Sequence, residues 1–140
     1  MSAVKGWCPG ALQPMESGDG WVVRIRPPGG RLDAAQAATI ADAAETLGNG
    51  VIELTGRANL QLRGVTPASH GPLIRALRAV GLTDPDAATE QRRNLIVTPF
   101  ADAATDALAC AIEAALAASD LALPAKFGFA LDNGPAPVLS

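Results

Sequence analysis

Val51-Ile52-Glu53-Leu54-Thr55-Gly56-Arg57-Ala58-Asn59-Leu60-Gln61-Leu62-Arg63-Gly64-Val65 is the stretch on which the reading of this chain turns. Apolar or small residues fill the even positions from Ile52 to Leu62. Polar ones fill the odd positions Glu53, Thr55, Arg57, Asn59, Gln61 and Arg63. A side-chain period of two marks β structure with one face buried and one open. A tight turn near Thr55 to Ala58 splits the segment into two strands. The open face carries Arg57, Arg63, Asn59, Gln61 and Thr55 against the single carboxylate of Glu53, an arrangement suited to holding an anion. Any half-solvated strand alternates in this way. The turn is the distinguishing feature, because an arginine fixed at a hairpin corner presents a rigid fork.

The flanking sequence builds a unit around this hairpin. Trp21 to Arg26 reads as a strand stopped by Pro27-Pro28-Gly29-Gly30. Asp33 caps a helix running to about Leu47, with Gln36 as its capping-box partner, and Gly48-Asn49-Gly50 ends it. Thr66 to Gly71 reads as a loop. A helix then runs from Pro72 to Val80, with Leu73, Ile74, Leu77 and Val80 as its buried stripe. The order β-α-β-β-α predicts an α+β fold, a ferredoxin-like half-domain with helices on one face of the sheet.

The rest divides by composition. Residues 1–20, rich in glycine and proline, read as an extended arm; 21–82 form the half-domain; 83–91, which opens Thr83-Asp84-Pro85-Asp86 and has no core pattern, read as a polar linker. Residues 92–140 read as the start of a second α+β domain. Its elements are a strand at Asn94 to Thr98, a helix at Thr105 to Ala118 and a strand at Lys126 to Leu131, and the sequence stops where a further strand is expected.

Composition narrows the function classes. Hydrophobic residues make up 49% but aromatics only 4%, so the core is aliphatic. A net charge of −3 and a pI near 5.0 argue against general nucleic-acid attraction. The apolar runs are too short and too interrupted by acids to span a membrane, so a soluble, cytoplasmic protein is expected. The two cysteines, Cys8 and Cys110, lie far apart without C-x-x-C spacing, and the single His70 has no cysteine or histidine neighbours. No metal site is expected from such a set. Cys110 reads as a core thiol in an alanine-rich helix, Cys8 as a loop thiol and His70 as a capping or loop residue.

Four segments in order carry a family resemblance. They are Leu54-Thr55-Gly56-Arg57-Ala58-Asn59-Leu60-Gln61-Leu62-Arg63-Gly64-Val65; Arg92-Arg93-Asn94-Leu95-Ile96-Val97-Thr98; Leu123-Pro124-Ala125-Lys126-Phe127; and the opening Gly6-Trp7-Cys8-Pro9-Gly10-Ala11 with Pro14-Met15-Glu16-Ser17-Gly18-Asp19-Gly20. The first three resemble the arginine and lysine motifs of the nitrite and sulfite reductase superfamily. The opening resembles the precorrin-3B synthase branch, oxygen-using enzymes of cobalamin biosynthesis. Together the matches cover nearly the whole chain.

The resemblance implies an anionic tetrapyrrole substrate, precorrin-3A, handled by oxygen-dependent hydroxylation and lactone formation. It implies Arg57, Arg93 and Lys126 as residues acting at the reacting centre. Thr55, Asn59, Gln61, Arg63 and Asn94 become substrate-binding candidates. An iron–sulfur cluster of the 4Fe–4S type and iron are implied, but two cysteines cannot supply four thiolates. This chain therefore reads as the amino-terminal portion of such an enzyme, inactive by itself, with a second half-domain or a further carboxy-terminal part and an electron donor as partners. Gly128 stands where the reductases carry a second lysine. That departure weighs against the alternative, a sirohaem-dependent sulfite or nitrite reductase segment. A non-catalytic tetrapyrrole-binding module is the third reading. Surface arginines remain the plain competitor, with Arg63 solvated and Arg92 or Arg93 pairing with Glu90 on the surface.

Overall fold

The computed structural model describes residues 8–139. Gly6 and Trp7 of the opening motif, and the first part of the expected arm, lie outside the described residues. Strand β1 (Met15–Ser17) turns at once into β2 (Gly20–Ile25) and pairs with it antiparallel. A short 3-10 turn at Pro28–Gly30 leads to helix α1 (Ala34–Leu47), where Asp33 and Gln36 form the expected capping box. Strands β3 (Ile52–Leu54) and β4 (Leu60–Val65) make the hairpin, and helix α2 (Pro67–Ala79) follows. The sheet order β1-β2-β4-β3 is antiparallel throughout. The result is the ferredoxin-like half-domain.

The core lies between this sheet and the two helices. Val23 and Ile25 of β2, Leu62 and Val65 of β4, and Leu73 and Leu77 of α2 are fully buried there, packed with Ile40 and Ala44 of α1. The alternation fails at the edge. Ile52 and Leu54, expected on the buried face, are 40% and 83% exposed, because β3 is the outermost strand and the helices do not reach over it.

Helix α2 begins earlier than its apolar stripe implies. Thr66 accepts from the Ser69 backbone N–H, the Ser69 hydroxyl accepts from that of Thr66, and Pro67 opens the first turn. The stretch expected as a loop is thus the helix start, with Pro72 inside it. The stretch read as a linker also holds structure: Asp86 caps helix α3 (Ala87–Arg92), in which Thr89 and Glu90 are buried. Strand β5 (Leu95–Val97), helix α4 (Ala103–Ala118) and strand β6 (Phe129–Leu131) follow, β5 and β6 pairing in parallel. Cys110 is exposed, not a core thiol; α4 turns Thr105, Ala109 and Leu116 inward instead.

One glycine locks the corner between α1 and the hairpin. Gly64 has φ +70°, and a Cβ there would lie 2.5 Å from the Asn49 Cβ. Asn49 N–H in turn donates to the Arg63 carbonyl at 2.9 Å. A Gly64→Ala variant is expected to lose about 1–3 kcal/mol, from overpacking at a left-handed position. Urea denaturation checks this as a lowered midpoint at unchanged slope.

Candidate functional site

The sheet face away from the helices is polar, and much of it is occupied with itself. Antiparallel register sets Gln61 between Arg24 and Glu53. Arg24 donates to Gln61 Oε1 through Nε at 3.0 Å and Nη2 at 2.7 Å, and Gln61 Nε2 donates to Glu53 Oε2 at 2.9 Å. Arg63 forks onto Asp19 at 2.9 and 2.7 Å, reaches the Ser17 hydroxyl at 3.0 Å and lies 3.5 Å from Glu53. The Arg63 guanidinium holds the Asp19 carboxyl below its ordinary value. Gln61 and Arg63, both substrate-binding candidates, are therefore engaged in a cross-strand network.

Arg57 is different. The Thr55 hydroxyl accepts from the backbone N–H of Arg57 at 3.3 Å and of Asn59 at 3.2 Å, while Thr55 N–H donates to the Asn59 carbonyl at 2.9 Å. Ala58 takes φ +55° to close the turn. Thr55 and the buried Asn59 thus build the corner, and Arg57 projects from it. Among the described residues nothing hydrogen-bonds or ion-pairs with the Arg57 guanidinium or the Lys126 ammonium.

Lys126 is brought there by Asn94, which is buried. The Asn94 amide donates to the Phe127 carbonyl at 3.1 Å, and the Asn94 carbonyl accepts from Phe129 N–H at 2.7 Å. The segment before β6 is thereby fixed with Lys126 facing the hairpin corner. Gly128 is tight against the same carbonyl: a Cβ would come within 3.3 Å of it.

Three cavities meet around this corner. One of about 240 Å³ is lined by Arg57, Asn94, Ile96, Lys126, Gly128, Phe129 and Ala130. Arg57 and Lys126 also line a second of about 330 Å³, with Arg24, Cys8, Thr55 and Gly56. Ile96 and Ala130 continue into a third of about 480 Å³, walled by Thr55, Gly56, Ala58, Val138 and Leu139. Together they form a groove between the half-domain and β6. Among the described residues its lining holds the cations Arg24, Arg57 and Lys126 and no carboxylate. Gly56, Ala58, Gly128 and Ala130 leave its floor low, suited to a flat ligand with anionic edges.

Arg24 is the groove residue that sequence reasoning missed. It sits in a strand read only as structural, and its place opposite Gln61 follows from long-range pairing.

Arg93 is not brought to the groove. It is buried at the end of α3, donating to Asp84 through Nε at 2.8 Å and Nη2 at 2.9 Å, to Glu113 at 3.2 Å and to the Arg26 carbonyl at 2.8 Å. Burial works against its charge, yet Asp84 and Glu113 hold it above the ordinary arginine value. Glu90, expected as a surface partner, is buried too, against Arg26 at 3.5 Å. Desolvation raises its carboxyl above the ordinary value, although the Leu12 and Ala11 N–H groups and Arg26 pull the other way. These charges join β2, the Pro28–Gly30 turn, α3 and α4, since Glu113 also accepts from Gly29 N–H at 3.1 Å.

Cys8 is half-buried at the groove, while Cys110 is exposed on α4. Among the described residues no group of three or more histidine, cysteine, aspartate or glutamate side chains could hold a metal ion. Two thiols on separate elements do not fit a four-thiolate iron–sulfur cluster. Among the described residues no helix is long and apolar enough to cross a membrane.

The model of the nitrite/sulfite reductase ferredoxin-like half domain matches residues 13–80. A precorrin-3B synthase of Sinorhizobium sp is 47% identical over 73 residues, covering 52% of this chain and 16% of that protein. A ferredoxin–nitrite reductase of Synechococcus elongatus is 32% identical over 127 residues, covering 81% of this chain and 25% of the relative. The NADPH sulfite reductase hemoprotein beta-component of Acidithiobacillus ferrooxidans is 32% identical over 78 residues, 56% of this chain and 14% of the relative. The chain spans at most about a quarter of the length of these relatives.

Proposed function

We propose that this chain, whose residues 13–80 match the nitrite/sulfite reductase ferredoxin-like half domain, is the ligand-holding, amino-terminal portion of a precorrin-3B synthase-like oxidoreductase of cobalamin biosynthesis. Its groove takes the carboxylated rim of a tetrapyrrole, precorrin-3A in the cellular reaction. The observation that carries this reading is the set of Arg24, Arg57 and Lys126 around a floor of small residues, with no carboxylate among the described residues of the lining, in a chain whose net charge is −3.

Chemistry follows from that geometry. Arg57 and Lys126, without a partner among the described residues, bind carboxylates directly, each such charge-assisted bond contributing about 1.5–3 kcal/mol. Arg24, tied by Nε and Nη2 to Gln61, presents its remaining Nη1 edge and adds field more than reach. Thr55, Asn59 and Asn94 hold these two cations in place. The chain orients the macrocycle, and the hydroxylation and lactone formation of the intact enzyme draw on redox groups for which this chain offers no cysteine set.

The second reading is a sirohaem-dependent nitrite or sulfite reductase segment. The long match to the nitrite reductase supports it, because that match reaches beyond the half-domain. Gly128 weighs against it, since a lysine Cβ there would press on the Asn94 carbonyl, which accepts from Phe129 N–H and fixes the start of β6.

Titration with uroporphyrin, a porphyrin with carboxylates around its rim, tests the proposal. Binding followed by absorbance is expected at low salt, weakening as ionic strength rises. Absence of binding at low salt by a folded sample would sink the reading for this chain.

A further inference from the structure

Residues 8–14 run across the molecule before the sheet begins, and they are fastened from several elements at once. Ala11 and Leu12 both donate their backbone N–H to the Glu90 carboxylate, Leu12 at 3.0 Å. Arg24 N–H donates to the Gly10 carbonyl at 3.1 Å, and His70 Nε2 lies 2.8 Å from the Ala11 carbonyl. Gln91 Nε2 donates to Gln13 Oε1 at 2.8 Å. Ala11 is buried in the core beneath this clasp. At Gly10 a Cβ would overlap the Glu90 carboxylate, so the close approach of chain and carboxylate needs a residue without one. Just before the clasp, Cys8 enters the wall of the cationic groove beside Arg24, Arg57 and Lys126. Glu90 lines none of the groove.

A buried carboxylate is costly unless paired and hydrogen-bonded. Here the pairing comes from Arg26 and the hydrogen bonds from the strap itself. The dependence runs both ways. Lifting the strap strips Glu90 of two donors, and removing the carboxylate leaves the buried Ala11 N–H and the part-buried Leu12 N–H without their acceptor.

We propose that Glu90 is a positioning residue: it seats residues 8–14 as a strap and thereby builds the groove wall that carries Cys8. The proposal rests on the anion-groove reading only for what that wall encloses. Glu90→Gln tests the seat with little change of shape, since its NH2 group would face one of the strap N–H groups, donor against donor.

The full chain carrying Cys110→Ser keeps Cys8 as its sole thiol. Its labelling by a maleimide is compared with and without Glu90→Gln, alongside urea denaturation and uroporphyrin titration. Labelling is expected to accelerate about tenfold or more in Glu90→Gln, the consequence of losing roughly one net hydrogen bond to a charged group. Acceleration should also exceed what the lowered global stability alone produces. Gly10→Ala, acting from the strap side, should do the same. A folded Glu90→Gln chain with unchanged labelling overturns the proposal, as does acceleration that tracks global unfolding only.

Hydrogen exchange on the unsubstituted chain decides the matter if neither variant folds. Protected Ala11 and Leu12 amides support the seat, and exchange at open-chain rates overturns it. The two readings separate cleanly. Faster labelling in a chain that never binds uroporphyrin keeps the strap and sinks the anion groove. Tight uroporphyrin binding with an unprotected strap does the reverse.

Discussion

Arg57→Ala is expected to weaken uroporphyrin binding by about one to two orders of magnitude, the equivalent of one charge-assisted contact of roughly 1.5–3 kcal/mol. The fold should survive the change. The corner that carries Arg57 is held by backbone bonds and by the Thr55 hydroxyl, all of which alanine keeps. No described side chain loses a partner with the guanidinium. Lys126→Ala should behave alike, and the double variant should lose at least the sum, since both cations line the same two cavities. Arg63→Ala is the control: it removes the same charge from the same sheet, but its fork is bound to Asp19. Its affinity should stay close to that of the parent chain. Absorbance titration of the four variants reads this directly, and equal losses for Arg57 and Arg63 would reduce the groove to a general charge effect.

Arg93→Ala is expected to lower stability by about 3–5 kcal/mol, the range for breaking a buried ion pair from one side. Its side chain is 9% exposed and its partners Asp84 and Glu113 are 10% and 12% exposed, so Asp84 would lose its ion partner and Glu113 would keep only the Gly29 N–H. Arg93→Lys should recover little, because a point charge cannot reproduce the fork on Asp84 or the bond to the Arg26 carbonyl. Urea denaturation measures the loss. The outcome also separates two roles for this residue. The resemblance implies a place at the reacting centre, whereas the geometry gives it the junction between the half-domain and α4. Near-parental stability with abolished binding would favour the former.

The half-domain was legible because its signals are local. Alternation, the Asp33–Gln36 box and the stripe Leu73, Ile74, Leu77 each depend on neighbours a few residues away. The structure departs from these local patterns where burial depends on what lies across the fold. Leu54 alternates correctly yet sits on an uncovered edge, and Cys110 lies one helical step from the buried Ala109 in a helix apolar on most sides. Helix α3 is too short to show a period, and the start of α2 was written in Thr66-Pro67 but outweighed by Pro72. At the site, Arg57 stood out because a turn marked it. Arg24 did not, because only strand pairing brings it to the groove. The partners of Arg93 lie 9 and 20 residues away in sequence, so nothing nearby announced an internal ion pair.

The central claim concerns where a carboxylated tetrapyrrole sits, so the most direct measurement maps that place. Nitrogen-15 NMR of the full chain during uroporphyrin titration should move the backbone signals of Thr55 to Asn59 and of Lys126 to Ala130 together, with a common affinity, while the exposed face of α1 stays still. Shifts confined to other surfaces, or scattered over every exposed arginine and lysine, would contradict the groove as the binding site.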